Sequence, residues 1–329
     1  MVTCEAEVVV LLTVYNRLSV KNTIESILSQ TFRNFQLLII DNASDDGTYE
    51  LLTKYREKDK RIVLVRNEKN MGQTYSLHIG MTLAKGKYIA RIDADDLMAP
   101  ERLLKQYTFL EENPEYGLCG SWIQLITDDD RKGEIVRTCI TDEGLRVMQR
   151  IGCAVYHPAV MMRKSLLDKY NLAYNEHLSM AEDYDMWRQI LCYSKGVNLP
   201  EVLTYYRRGN NDSVQHQGVT FSEAHFVKKL ILNQEEFFAE RKIVEKITEY
   251  EFRERKSLIH TIVIFGGYRR YLRSNLSKDS LDYNAVKRRI ITYTIGVCLL
   301  HNKAWWAKKC YALYQRIRAN RYQKYTDTL

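Results

Sequence analysis

Lys87 to Arg102 read KYIARIDADDLMAPER, and this stretch decides the fold. It opens as an apolar run of strand length, and three aspartates, Asp93, Asp95 and Asp96, crowd its end with Pro100 just beyond. A short, nearly continuous apolar run bounded by turn signals reads as a strand buried on both faces, the kind that fills parallel sheets. Carboxylates gathered at one strand terminus repel each other, so they need a cation, a helix start to cap, or a solvated turn.

The same unit recurs upstream. VVVLLTV (Val8 to Val14) precedes a helical pattern opened by Ser19 and carrying Val20, Ile24, Ile27 and Leu28. FQLLIID runs into NASDDGT, where Asp45 or Asp46 can cap a helix bearing Leu51, Leu52 and Tyr55. RIVLVR, a loop with Gly72 and a helix through Leu83 complete the series before KYIARID. Strands buried on both faces and separated by helices predict a parallel sheet with right-handed crossovers.

Ligands of such sheets bind outside the carboxyl ends of the strands. Three strand ends here carry polar residues: Thr13-Val14-Tyr15-Asn16, Asp41-Asn42, and Asp93-Ala94-Asp95-Asp96. Neither G-x-G-x-x-G nor G-x-x-x-x-G-K-[ST] is present, so no glycine loop cradles phosphate. The alternative is a divalent cation held by few carboxylates and by the phosphates themselves, as magnesium usually is. A bound cation would also lower the aspartate pKa values that crowding raises.

Composition bounds the rest. The chain of 329 residues is 45% hydrophobic, enough for one large domain with an appendage or for two ordinary domains. Its seven cysteines form no C-x-x-C pair, which argues against zinc and disulfide frameworks and for reduced thiols in a reducing compartment. MVTCEAEVVVLLTVYN lacks the basic flank and cleavage site of a signal peptide, and the run Ile290 to Leu300 is too short to span a bilayer. The net charge of +8 is uneven: from Phe221 to Leu329, 22 Lys and Arg face 11 Asp and Glu, while 27 against 30 leave residues 1–220 at −3.

Beyond Pro114 the pattern changes. GSWIQLITDDDRKGEIVRTCIT reads as a hairpin whose charged turn, DDDRKG, is solvated. YHPAVMMR, a helix in AEDYDMWRQI and VNLPEVLTYYRR follow, and from about Phe221 the signals are helical. The expected domains are therefore 1–218, α/β, and 219–329, basic and mainly helical.

VVVLLTVYNR, LLIIDNASDDGT, Asn70-x-Gly72, AKGKYIARIDADD with Pro100, and AEDYDMW, in this order and spacing, resemble family 2 glycosyltransferases of the GT-A fold over roughly residues 7–207. Any one piece is weak, but five in order are strong. The resemblance implies that Thr13, Tyr15, Asn16 and Asp41 cradle the nucleoside of a nucleotide sugar, that Asp93 lies near ribose and sugar, and that Asp95 meets a Mn2+ or Mg2+ ion bridging the phosphates. It implies that Asp183 is the general base for an acceptor hydroxyl and that a polar residue such as His157 lies near the acceptor; Glu182 reads either as an acceptor contact or as a helix cap, and Trp187, one turn after Asp183, could set an aromatic sugar platform on the acceptor side beside the base. Asp96 is expected to cap the helix beginning near Pro100. Inverting transfer is a single displacement, so one carboxylate base and one leaving-group electrophile suffice. Two departures stand out: relatives often carry arginine where Leu77 sits, and histidine where Gly209 follows Tyr206-Arg207-Arg208.

The expected activity is metal-dependent transfer from a nucleotide diphosphate sugar, UDP-linked first, to a hydroxyl of a saccharide or lipid-linked saccharide in surface polysaccharide assembly (capsule, O-antigen or similar). Two competitors are a sugar nucleotidyltransferase, whose glycine-rich loop TVYNRLS lacks, and a non-catalytic nucleotide-sugar-binding assembly subunit. NKAWWAKKCYALYQRIRANRYQKY sets Trp306, Cys310, Leu313 and Ile317 at helical spacing among basic residues. Such a segment suits an anionic membrane surface, at the inner face of the cell membrane, as well as packing on its own domain or on another copy in a homo-oligomer. No module for nucleic acid is recognisable.

Overall fold

The computed structural model describes residues 6–150, 152–179, 181–208, 227, 276–277 and 280–288. The chain divides into two compact units, Met1–Val227 and Lys228–Leu329. In the second, residues 281–288 are helical. The expected boundary near residue 218 and the basic segment from Asn302 to Tyr325 lie outside the described residues.

The first unit is built on one sheet of nine strands. Its parallel half comprises β1 (Val8–Val14), β2 (Phe35–Asp41), β3 (Ile62–Arg66) and β4 (Tyr88–Ile92), in the order β3-β2-β1-β4. Helices α1 (Val20–Leu28), α2 (Thr48–Lys58) and α3 (Gln73–Leu83) make the crossovers. β1, β2 and β4 are buried almost throughout, as their unbroken apolar runs require, and Val8, Val10, Leu12, Leu37 and Ile39 share one core with Ile24 and Ile27 of α1. β3 departs from that pattern: it is the edge strand, and Val63 faces solvent. On the other side of β1, a Cβ at Gly80 of α3 would stand 2.2 Å from Leu11 Cδ1, so only glycine lets this helix lie so close.

The chain runs outward from β1 to β3 and then returns to set β4 on the other flank of β1. That reversal is a topological switch point, and the crevice it opens faces the carboxyl ends of the strands. Val14 pairs with Asp41 and Leu12 with Ile92, which brings Tyr15, Asn42 and Asp93 out of the sheet at the same edge.

The second half of the sheet is mixed. After β5 (Leu97–Met98) and α4 (Arg102–Glu112) come β6 (Tyr116–Ile126), β7 (Lys132–Val136), α5 (Asp142–Gln149), β8 (Met161–Arg163), α6 (Lys164–Lys169), α7 (Glu182–Tyr193) and β9 (Lys195–Arg207). The order continues β4-β8-β6-β9-β5; β8 is antiparallel to both neighbours, and β6 runs parallel to β9. The expected hairpin is β6–β7. Arg102, fully buried, donates to the carbonyls of Pro158 (2.6 Å), Arg91 (2.7 Å) and Val160 (3.1 Å), fastening α4 to the seam between β4 and β8. Burial brings its pKa down to about 9. Among the described residues no helix is long and apolar enough to cross a membrane.

Candidate active site

The loops after β1 and β2 are tied together. Asn16 adopts a left-handed backbone (φ 45°), which asparagine tolerates, and its N–H donates to Ser44 Oγ at 3.0 Å. Its side-chain amide donates to Asp45 (2.8 Å) and accepts the Asp45 N–H (2.9 Å). Asp45 is thereby used, and Asp46 accepts the Thr48 N–H at the start of α2 (3.0 Å). Thr13 is half-buried at the end of β1, and Tyr15 is 46% exposed at the rim.

Asp41 is fully buried, with its carboxylate 3.3 Å from Arg66 Nε and accepting the Ser44 N–H. Arg66 also donates to the Ser44 carbonyl (2.7 Å) and stacks over Tyr49. Leu77 is fully buried core, so the guanidinium beside Asp41 comes from Arg66 at the end of β3. Asn42 donates to Asn70 Oδ1 (2.7 Å), which also accepts the Gly72 N–H (3.0 Å) and holds Gly72 at φ 86°, where α3 begins. The Asn-x-Gly spacing is thus a turn locked to the end of β2.

At the end of β4 the three aspartates part company. Arg91, buried within the strand, grips Asp93 with both terminal nitrogens, Nη1 at 2.6 Å, and leaves its own Nε buried without a partner. Asp95 is half-buried; its carboxylate is 3.9 Å from Arg17, and its carbonyl accepts from Arg207 Nε at 2.9 Å. Burial, then the charge of Asp93, raises the Asp95 pKa above the usual carboxylate range.

Asp96 is not the expected helix cap. Glu101 occupies that position with no side-chain hydrogen bond, while Asp96 is buried, accepts the Arg207 N–H at 2.7 Å through Oδ1 and leaves Oδ2 without a partner. Four residues lie between Asp96 and Glu101, too many for Asp96 to serve as the residue that caps the first helical amides. Nor is the charged β6–β7 turn merely solvated, because Asp130 accepts from Arg207.

The second acidic group opens α7. Asp183 accepts the Tyr184 N–H (2.6 Å) and the Cys153 thiol (3.4 Å); burial raises its pKa, and the charges of Arg91 and Asp93 reach it. Glu182 is buried, with Oε1 3.7 Å from His157 Nδ1 and Oε2 without a partner. Burial, then the charge of Asp183, raises its pKa. His157 is held neutral by burial and by Arg91, and its Nε2 is 2.8 Å from the Tyr174 hydroxyl. The contact between His157 and Glu182 is therefore not an ion pair at neutral pH.

Trp187 does not form the expected sugar platform. It is 0% exposed, donates its indole N–H to the Val155 carbonyl (3.1 Å) and meets His157 edge-on. Position one turn after Asp183 put it on the inner side of α7, where it packs behind His157. Asp185 is likewise structural, bound to Arg188 (2.7 Å) and Gln189 (2.9 Å).

Among the described residues no group of three or more His, Cys, Asp or Glu is arranged to hold a metal ion. Asp93 is taken by Arg91 and Asp96 is buried, so Asp95 is the aspartate of the three left to meet a cation. One carboxylate fits a magnesium-type ion whose other ligands are phosphates and water. Sequence reasoning missed Arg91, Arg102 and Cys153, and it placed Arg207 near the diphosphate without its contacts to the Asp95–Asp96 turn. For Arg91 a signal existed, a lone charge inside the apolar run YIARI; the others depend on contacts distant in sequence.

The model of the family described as Glycosyl transferase family 2 matches residues 9–170. The uncharacterized glycosyltransferase MJ1057 of Methanocaldococcus jannaschii is 34% identical over 201 residues, 59% of this chain and 67% of that protein. The O-antigen biosynthesis glycosyltransferase WbnJ of Escherichia coli is 32% identical over 214 residues, 61% of this chain and 78% of that protein. In structure, S. aureus TarS 1–349 in complex with UDP-GlcNAc superposes with a TM-score of 0.60 at 17% identity, over 97% of this chain and 92% of that one. At that identity the likeness concerns the fold. Asp183 and Glu182 lie beyond the residues the family model matches.

Proposed function

The chain belongs to glycosyl transferase family 2 and takes its GT-A fold, and from that premise we propose that it moves a sugar from a nucleotide diphosphate donor, UDP-linked first, to a hydroxyl of a saccharide or lipid-linked saccharide. The reaction is an inverting single displacement, and its setting is surface polysaccharide assembly at the inner face of the cell membrane. Membership sets aside the sugar nucleotidyltransferase and the non-catalytic subunit. The observation that carries the reading is the meeting, at one switch-point edge, of the β1 and β2 loops, the Asp93–Asp96 turn and a carboxylate, Asp183, within the electrostatic reach of Arg91 and Asp93.

Thr13, Tyr15 and Asn16 line the nucleoside side, where Asp41 and Arg66 offer an acceptor beside donors. Asp93, aimed by Arg91, faces ribose and sugar. Asp95 would hold Mn2+ or Mg2+, which when bound supplies positive charge to the departing diphosphate. Asp183 takes the acceptor proton: burial raises its basicity, and neither hydrogen bond that it accepts comes from a cation. Glu182 and His157 border the acceptor. The basic segment from Asn302 to Tyr325 would keep the enzyme at an anionic membrane surface.

A thermal-shift series of UDP-, GDP- and dTDP-sugars, each with and without Mn2+, tests this. Ligands that bind the native state alone raise its stability with affinity. The expected result is stabilisation that requires sugar nucleotide and metal together; a flat response across the series would overturn the reading.

A further inference from the structure

Arg207, the last residue of β9, ties together two separate pieces of chain, the Asp95–Asp96 turn and the β6–β7 turn. Its backbone N–H donates to Asp96 Oδ1 at 2.7 Å, its Nε to the Asp95 carbonyl at 2.9 Å, and its terminal nitrogens to the Thr127 carbonyl and to Asp130 Oδ1. The side chain is nearly buried, with 10% of its surface exposed. On the turn side, Asp130 has a left-handed backbone (φ 59°), and its N–H donates to the Thr127 carbonyl at 3.0 Å. The Arg131 N–H is bonded to Thr127 Oγ1 at 3.1 Å, closing the turn. The Arg208 N–H, next along, bonds the Ile126 carbonyl at 3.0 Å, so β9 and β6 stay paired up to this point.

A guanidinium has five N–H donors in a rigid planar fork, so groups that each take a different one of its donors are held in a fixed arrangement relative to one another. The Asp95 peptide carbonyl is held by Arg207, while its carboxylate, 3.9 Å from Arg17, remains partly exposed. Asp96 is anchored through the backbone of the same arginine, and its second oxygen has no partner. With both flanks held, the direction of the Asp95 carboxylate follows from where the β6–β7 turn stands.

We infer that Arg207 and Asp130 are positioning residues for the donor-phosphate end of the site: the β6–β7 turn, acting through the Arg207 fork, aims the Asp95 carboxylate at the cation that accompanies the nucleotide diphosphate. This rests on the transferase reading above. Groups that orient a metal ligand from behind typically change metal affinity by about 10- to 100-fold when removed.

Asp130 is the residue to change, because its side chain is half-exposed and distant from the core. Asp130→Gly removes the carboxylate and accepts a positive φ without strain, while Asp130→Asn keeps an oxygen acceptor and also tolerates that backbone. Uptake of Mn2+ with UDP, and separately with GDP, is read from loss of the EPR signal of free Mn2+. Asp130→Gly is expected to weaken uptake about tenfold while unfolding within about 2 °C of wild type; Asp130→Asn is expected to stay within about twofold of wild type. Arg207→Lys keeps the charge but loses the fork, and it decides the matter should Asp130→Gly unfold early; it is expected to weaken uptake by at least about tenfold. Uptake equal to wild type in Asp130→Gly and Arg207→Lys would overturn the inference alone. A wild-type protein that takes up Mn2+ with neither nucleotide would overturn the donor reading, and this inference with it.

Discussion

The molecule has two acidic clusters at one edge of its sheet, and their partners differ. Asp93, Asp95 and Asp96 are surrounded by arginines: Arg91 grips the first, Arg17 faces the second, and Arg207 holds the backbone of one and the carboxylate of the other. Glu182 and Asp183 have a neutral histidine, a thiol and a backbone N–H instead, and among the described residues no cation pairs with Asp183. Arginine contacts fix the first group in place, which suits binding, while burial raises the proton affinity of Asp95 and Asp96 as well. Burial without such contacts raises proton affinity, which suits a base.

The contrast can be broken most sharply at Asp183. Asp183→Asn is expected to lower kcat by about 10² to 10⁴ and to leave the Kd for Mn2+ with UDP unchanged; initial rates beside equilibrium binding check both. A variant that loses nucleotide binding instead would erase the distinction between the clusters. On the binding side, Arg91→Leu deprives Asp93 of its partner and is expected to cost about 2–3 kcal/mol of stability, read from denaturant unfolding. Equal stability would mean that the arginine neutralises nothing.

The pH profile sharpens the comparison from another direction. Asp183 works only when deprotonated, and burial raises its pKa above the ordinary value. The activity should therefore fall on acidification at a pH above about 4, and Asp183→Asn should remove that limb. A wild-type limb at or below the ordinary aspartate value would contradict the burial argument. The smallest effect is expected at Trp187: Trp187→Phe loses one hydrogen bond to Val155, about 1 kcal/mol, with the acceptor KM unchanged. A large rise in acceptor KM would restore the sugar-platform expectation that its burial contradicts.

The legible parts of this protein are those with local causes. Strands that must be buried on both faces declare themselves as apolar runs, and a left-handed turn declares itself as Asn-x-Gly, so β1, β2, β4 and the start of α3 match their sequence patterns. β8 has three residues and lies antiparallel between β4 and β6, a placement that no local pattern encodes. The roles of individual aspartates were legible to the extent that their partners were near in sequence. Arg91 stands two residues from Asp93, within the same strand end. Arg207 stands 111 residues from Asp96, and only the neighbourhood of β9 and β5 in the sheet brings it there.

The sequence by itself determined the alternation of strands and helices, the edge at which polar residues gather and the family, because burial and turn geometry are imposed residue by residue along the chain. Tertiary contacts settle which carboxylates meet arginine side chains, which are buried without one, and that Trp187 faces inward. Those states depend on what the folded chain brings alongside: an arginine placed against a carboxylate by strand order fixes its position, and a wall of core residues raises its proton affinity.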